Sequence, residues 1–231
     1  MSGATPGGWE GEVWIRSPQG ALHVYERYSI TQNPDASRTL KTRTVSPNGT
    51  LVRDVHQTVS RDWHSLHGSS RVWLDGRAQG VVSKWVAAEE IHSSVFVDGQ
   101  FSYQRFPVPA GRFSIGFHPI ADETWKMALV DASRPGRSPL TTHTCSPTWN
   151  GKTMEHGRTV SSTVDYLGDE TREVGGVARF CRAFLWHTPF AKALKMWAWG
   201  DDYVFAGLLV VEGDNAGTEY LVTSLRETGW P

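Results

Sequence analysis

Cysteine is scarce in this sequence, which has only Cys145 and Cys181 among 231 residues. Two thiols cannot build a disulfide framework or a multi-thiolate metal site. We expect both to be reduced and buried in a core, with a single bridge between them as the alternative.

An excess of charge is also missing, because 23 basic and 24 acidic side chains give a formal net charge of −1. This balance predicts neither a nucleic-acid partner nor an anionic membrane surface. No apolar run approaches the roughly 18 residues of a membrane-spanning helix, and residues 1–8 lack the basic start and apolar stretch of a signal peptide. We therefore expect a soluble, cytoplasmic protein.

The familiar catalytic motifs are absent as well. The sequence has no G-x-S-x-G elbow, no phosphate-binding glycine loop and no dinucleotide fingerprint in a βαβ unit. His64 and His67 form an H-x-x-H pair, but no third ligand stands in a recognised place. The sequence thus predicts no metal and no cofactor, although one of the nine histidines as the axial ligand of a haem-binding barrel is an alternative.

What the sequence does contain is a series of seven turns marked by glycine or proline, most of them flanked by runs rich in Val, Phe or Trp. Glycine accepts the positive φ of tight turns, and β-branched and aromatic residues pack well on a pleated surface. The turns lie at 17–20, 46–49, 75–76, 98–99, 150–151, 200–202 and 214–217. This pattern predicts one all-β domain over residues 1–231, an antiparallel up-and-down β-barrel, with a β-sandwich as the alternative.

Three segments are less regular. Residues 51–68 have both a helical spacing and a strand-like alternation, and we favour a strand because the surrounding chain is all hairpins. Thr188 and Pro189 have the N-cap and first-turn chemistry of a short helix that runs to about Lys195. Residues 124–131 are predicted as a strand, and residues 131–139 as a polar loop, either a lid or a solvated connection.

Three short motifs resemble the lipocalin (calycin) pattern. Gly7-Gly8-Trp9 precedes the first strand, Arg226 lies in the last strand, and Asp165-Tyr166 is similar to the middle motif of that family. The resemblance implies an up-and-down barrel that holds a small hydrophobic ligand, with Trp9 packed under Arg226 across the closed end.

A first candidate site comes from neighbouring strands in the middle of the chain. Tyr103 and Arg105 share one face of their strand, and His118, Trp125 and Asp131 follow on the next two arms. If these arms are adjacent and in register, their side chains meet in one cavity and can transfer protons. We predict that Tyr103, Arg105, His118 and Asp131 are catalytic, the alternative being an exterior ion pair between Arg105 and Asp131.

A second candidate group would bind the ligand. Tryptophan is the compositional outlier, with 11 residues, and its ring offers a wide apolar surface with one N–H donor. An arginine among aromatic residues is costly to bury unless it is paired or contacts a ligand. The predicted ligand-binding residues are Tyr25, Trp125, Arg182, Trp186, Trp197, Trp199, His143 and His187.

These features favour a cofactor-independent enzyme, namely a lyase, a dehydratase or hydratase, or an isomerase. Its acid–base side chains would act on a small hydrophobic or aromatic molecule inside the barrel. A carrier or sensor that encloses the same molecule without changing it is the second hypothesis. The sequence leaves a homodimer open.

Overall fold

In a computed structural model, the described part of the chain comprises residues 7–133, 136–145, 154–189 and 191–229. It forms 15 strands and one short helix. The strands are β1 (Gly7–Arg16), β2 (Leu22–Gln32), β3 (Arg38–Val45), β4 (Leu51–Val59), β5 (Ser65–Leu74), β6 (Arg77–Ala87), β7 (Glu90–Val97), β8 (Gln100–Pro107), β9 (Phe113–Gly116), β10 (Arg137–Thr144), β11 (Arg158–Val174), β12 (Val177–Thr188), β13 (Lys192–Trp199), β14 (Val204–Glu212) and β15 (Glu219–Gly229). The helix is α1 (Glu123–Met127).

All 15 strands belong to one sheet, in the order β8-β7-β6-β5-β4-β3-β2-β1-β15-β14-β13-β12-β11-β10-β9. Every pair of neighbouring strands in this order except β10 and β9 is antiparallel, as a chain of hairpins requires. The all-β, up-and-down prediction is confirmed, and the single sheet replaces the sandwich alternative. Strand β9 alone runs parallel to its partner β10, because the chain crosses over through α1 between them.

The barrel does not close fully, since β8 and β9 end the sheet and are not paired with each other. Instead, the two ends overlap. The backbone N–H of Ile115 in β9 donates to Ser65 Oγ at 2.9 Å, and Gln57 Nε2 donates to the Ile115 carbonyl at 3.2 Å. Farther along, the Phe106 ring of β8 lies 4.6 Å from the His143 ring of β10. The barrel that the sequence predicts is therefore present but not fully closed.

The buried apolar residues form two hydrophobic clusters. The larger one lies on the concave side of β1–β4 and β10–β15 and includes α1. The smaller one lies where the two ends of the sheet overlap, around Ile115 and Phe117. Cys181 belongs to the first and Cys145 to the second, and both thiols are free and buried, as expected.

Two local predictions are wrong. Thr188 is the last residue of β12 and pairs with Lys192, the first residue of β13, so Thr188 and residues 192–195 of the predicted helix are in strands. Residues 123–127 form the helix instead, where a strand was predicted. Asp122 and Glu123 lie four and three residues before Lys126, a spacing that favours a helix through ion pairs along one side.

Other local predictions are confirmed. Residues 51–59 and 65–68 are in strands β4 and β5, as favoured, and the turns at 75–76 and 98–99 join β5 to β6 and β7 to β8. Residues 137–139 of the predicted loop belong to strand β10, which begins at Arg137, and residues 134–135 lie outside the described part of the chain. The turn at 150–151 lies outside the described residues. No helix in the described ranges is long and apolar enough to cross a membrane.

Trp9 and Arg226 lie near each other in the sheet but on opposite faces. Glu10 pairs directly with Arg226, and Trp9 pairs with Glu227. Directly paired residues share a face, and successive residues alternate between faces. Trp9 packs on the larger core, whereas Arg226 Nε donates to Glu10 Oε2 at 3.0 Å on the exposed face. The predicted packing of Trp9 under Arg226 is therefore wrong.

Candidate functional site

A cavity of about 520 Å³ lies on the concave side of the sheet. Its walls are mostly apolar, because alternate residues of β1, β12, β13, β14 and β15 point inward. The apolar lining residues include Ile15, Val24, Val160, Trp186, Leu194, Leu208, Val210 and Tyr220. His23, Glu212 and Asp214 also line it and are exposed, so the cavity opens to solvent beside them.

One side of the cavity is polar, and a buried carboxylate fixes the chain before α1 on that side. Glu26 of β2 is 0% exposed, and its Oε1 accepts hydrogen bonds from the backbone N–H groups of Ile120 at 2.8 Å and Ala121 at 3.0 Å. Its Oε2 accepts from Thr44 Oγ1 at 2.9 Å. Burial raises the pKa of Glu26, and the nearby Arg53 opposes that rise. This carboxylate holds residues 118–121 against the wall of the barrel.

An ammonium group lies at the same side of the cavity. Lys126 Nζ contacts Glu123 Oε2 at 2.6 Å and Asp122 Oδ1 at 3.3 Å, and it lies 5.7 Å from the centre of the Trp186 ring. Burial lowers the pKa of Lys126, but the two carboxylates outweigh this effect and raise it. Burial also raises the pKa of Asp122. Lys126 thus keeps its charge, and both Lys126 and Glu123 face the cavity.

Hydroxyl and imidazole groups complete the polar side. His118 Nε2 lies 2.7 Å from Thr144 Oγ1, and both residues line the cavity. His118 has a φ of 58°, an uncommon conformation for a residue with a side chain. Thr142 Oγ1 is buried and has no hydrogen-bond partner among the described residues. The polar side can therefore offer a hydroxyl, an imidazole and an ammonium to a bound molecule.

The structure does not bring the four predicted catalytic residues together. Tyr103 and Arg105 are exposed on the edge strand β8, where Tyr103 Oη contacts His92 Nδ1 at 2.5 Å and Arg105 pairs with Glu90 at 3.3 Å. Asp131 accepts a hydrogen bond from Ser133 Oγ at 2.6 Å on an exposed turn. Only His118 lines the cavity. The predicted grouping is wrong because β8 ends the sheet and residues 123–127 are helical, so the three arms are not neighbours.

Of the predicted ligand-binding residues, Trp186 lines the cavity, and its indole N–H donates to Ser162 Oγ at 2.9 Å. Trp125 is buried in α1, 6.1 Å from Trp63 between ring centres. His143 is buried between β10 and the overlapping β8. Neither Trp125 nor His143 lines the cavity.

The remaining predicted residues also lie elsewhere. Tyr25 is on the convex face beside Arg27, and Arg182 pairs with Asp201 at 2.9 Å in the turn before β14. His187 Nε2 lies 2.8 Å from Asp165 Oδ2, and that carboxylate also binds Arg137. Trp197 and Trp199 stack under Arg172 and Arg179. The single cavity predicted for these residues is therefore not formed.

Sequence reasoning missed Lys126, Glu123, Thr142 and Thr144. The spacing of Asp122, Glu123 and Lys126 was a readable helix signal. Nothing in the local pattern of β10, by contrast, distinguishes its cavity-facing threonines from its other polar residues, because the face that points inward depends on how the sheet curves.

Comparison with known proteins supports the fold alone. No protein-family model matches the sequence, and no curated protein matches it. A crystal structure of a β-barrel-like protein from Brucella abortus, a domain of unknown function, is similar over 98% of both chains, with a TM-score of 0.57 and 8% identity. This likeness shows a shared β-barrel-like fold.

Two further crystal structures are less similar. MucB gives a TM-score of 0.36 at 11% identity over 95% of this chain and 53% of its own. A protein described as a lipoprotein from Parabacteroides distasonis gives 0.40 at 10% identity over 94% of this chain and 95% of its own. Neither score is high enough to support a conclusion about this protein.

Proposed function

We propose that this protein binds a small, largely hydrophobic molecule in the cavity on the concave side of its sheet. The observation that supports this proposal is the cavity itself, about 520 Å³ with apolar walls and one polar side. Ligand sites in proteins have this size and this composition, in which apolar surface supplies affinity and a few polar groups fix orientation.

The lining defines the chemistry of the ligand. Its apolar body would lie against Leu194, Leu208 and Val210, with one face on the Trp186 ring. A carbonyl or hydroxyl group would lie at the polar side, where the Thr142 hydroxyl and the Lys126 ammonium can donate hydrogen bonds. A small aromatic or alicyclic molecule with one such group fits both requirements.

The experiment compares two tryptophan substitutions in the same strand. Val210 lines the cavity, whereas its neighbour Val211 is 43% exposed. Binding of 1-anilinonaphthalene, measured by its fluorescence, is expected to weaken about tenfold or more in Val210→Trp, because the indole fills the cavity. Val211→Trp should bind like the wild type. Equal binding by both variants would show that the probe does not enter the cavity.

Catalysis on the bound molecule is a second candidate function, and the position of His118 favours it. An imidazole in a strained backbone conformation at the wall of a ligand cavity can carry a proton to or from a substrate. Mass spectrometry would identify a small molecule that purifies with the native protein, and then follow its conversion by wild type and by His118→Asn. Conversion that is lost in the variant while binding persists supports an enzyme, and unchanged ligand with wild-type protein supports a carrier.

A further inference from the structure

Two arginines face each other near the tip of the β11–β12 hairpin. Arg172 of β11 and Arg179 of β12 are direct cross-strand partners. Like charges in this arrangement are destabilising, because the side chains of a direct pair project from the same face at close range. The position therefore needs a feature that offsets the repulsion.

Both guanidinium groups are held in place by tryptophan rings. The Arg172 guanidinium carbon lies 3.5 Å from the centre of the Trp197 ring, and that of Arg179 lies 3.9 Å from the centre of the Trp199 ring. Trp197 and Trp199 are alternate residues of β13 and so share a face. Such stacking orients a guanidinium while leaving its N–H edge available.

The hairpin tip that carries the arginines is anchored. The backbone N–H of Gly175 donates to the Val222 carbonyl of β15 at 3.0 Å, and the Val174 side chain is fully buried. Strands β14 and β15 pair through Leu208–Tyr220 and Leu209–Glu219. The backbone groups of β15 beyond Tyr220 on that edge are therefore available to pair with the hairpin tip. The hairpin tip is thus fixed to β15, and the two guanidinium groups are fixed on the tryptophan rings.

Three buried donors in this region find no acceptor among the residues that the structure describes. The Nε atoms of Arg172 and Arg179 and the Tyr28 hydroxyl are buried and make no hydrogen bond within the described ranges. Arg179 is near Tyr28, since its charge opposes the rise that burial causes in the Tyr28 pKa. Glu170, two residues before Arg172, already binds Lys195 Nζ at 2.9 Å and the Trp197 indole N–H. No ion pair with either arginine is found in the part of the chain that the structure describes.

We propose that Arg172 and Arg179 form a binding site for a phosphate group, separate from the cavity. A tetrahedral anion between the two guanidinium groups would neutralise their repulsion and accept hydrogen bonds from both, a geometry for which arginine is well suited. The phosphate group belongs either to a free ion or to the head of an anionic lipid, and both present the same oxygens.

The first experiment titrates the protein with inorganic phosphate at constant ionic strength. Tryptophan fluorescence is the readout, because Trp197 and Trp199 lie under the arginines. We expect a saturable signal in the wild type and a loss of affinity of about tenfold or more in R172Q/R179Q. Arg105→Gln is the matched control, since Arg105 is exposed and already paired with Glu90, and it should bind like the wild type.

R172K/R179K separates binding from folding, because it keeps the charge but loses the planar pair of donors. It should fold, as judged by circular dichroism, and bind phosphate more weakly than wild type. A wild type without saturable binding, or R172Q/R179Q with unchanged affinity, would overturn the proposal. Sedimentation of the protein with phosphatidic acid vesicles, compared with phosphatidylcholine vesicles, then identifies whether the phosphate group is that of a lipid or of a free ion. If the protein sediments with phosphatidic acid vesicles and this depends on the two arginines, the site binds a lipid head. If it does not sediment with them but still binds phosphate, the site binds the free ion.

Discussion

The Glu26 carboxylate accepts a hydrogen bond from the backbone N–H of Ile120 at 2.8 Å, although 94 positions separate the two residues. This contact joins β2 to the segment between β9 and α1. It therefore holds the polar side of the cavity against the barrel wall.

Replacing Glu26 by alanine should destabilise the protein by about 2–5 kcal/mol, because two backbone donors and the Thr44 hydroxyl lose their acceptor in a buried place. Glu26→Gln should cost clearly less, since its side-chain oxygen can still accept from Ile120 and Ala121. Urea unfolding followed by circular dichroism measures both. An alanine variant as stable as the wild type would show that the contact does not support the fold.

The Phe117 ring packs closely against the backbone of β5 at Gly68. A Cβ at this position would lie 2.5 Å from Phe117 Cε2 and 2.8 Å from the His56 carbonyl oxygen. Gly68→Ala is expected to cost about 1–3 kcal/mol, because a tightly packed core cannot accept the added methyl group without strain. Gly229→Ala is the control, since no non-adjacent atom of the described chain lies within 4 Å of its Cβ position. The urea midpoints of the two variants should therefore separate, and coincident midpoints would contradict the prediction.

Lys84 has a buried amine that makes no hydrogen bond among the described residues, and burial lowers its pKa to about 8 from 10.5. Between these two values the unfolded chain binds a proton that the folded chain does not. Stability should therefore rise as the pH increases from about 8 to 10.5.

Lys84→Met should remove this dependence and stabilise the protein at pH 7 by roughly 3 kcal/mol, the equivalent of the pKa difference. Thermal unfolding at pH 7 and at pH 10 provides the test. Lys41→Met is the control, because Lys41 is exposed on β3. It should change neither the pH dependence of the stability nor the stability at pH 7. A less stable Lys84→Met variant would mean that the ammonium has a favourable role in the fold.

His143 should stay neutral across the physiological range. Burial, together with the charge of Lys84, lowers its pKa to about 4, and its Nε2 donates to the His156 carbonyl at 3.2 Å. Its ring signals in an NMR titration should not shift between pH 5.5 and 8. Because the unfolded histidine takes up a proton below about 6.5, stability should fall as the pH drops from that value towards 4. A midpoint near 6.5 for the His143 signals would contradict this.

Several features of the barrel were readable from the chain. In β2 the two-residue alternation shows that Val24, Tyr28 and Ile30 share one face and that Tyr25 and Arg27 share the other, but it did not show that the face of Tyr25 points away from the core. Such patterns are local, because a strand needs only a two-residue repeat and a hairpin needs only a suitable turn. The candidate site was not local in this sense, and of the predicted residues only His118 and Trp186 line the cavity.

The sequence by itself determined that this protein is a series of antiparallel hairpins, since turn residues and side-chain alternation act over a few positions. Only the tertiary structure decided that the ends of the sheet overlap instead of meeting, that Glu26 points into the core, and that Arg172 faces Arg179 over two indoles. These outcomes depend on register, bulges and the coiling of a 15-stranded sheet. Small twists add up from strand to strand, so no short stretch of sequence encodes where distant side chains meet.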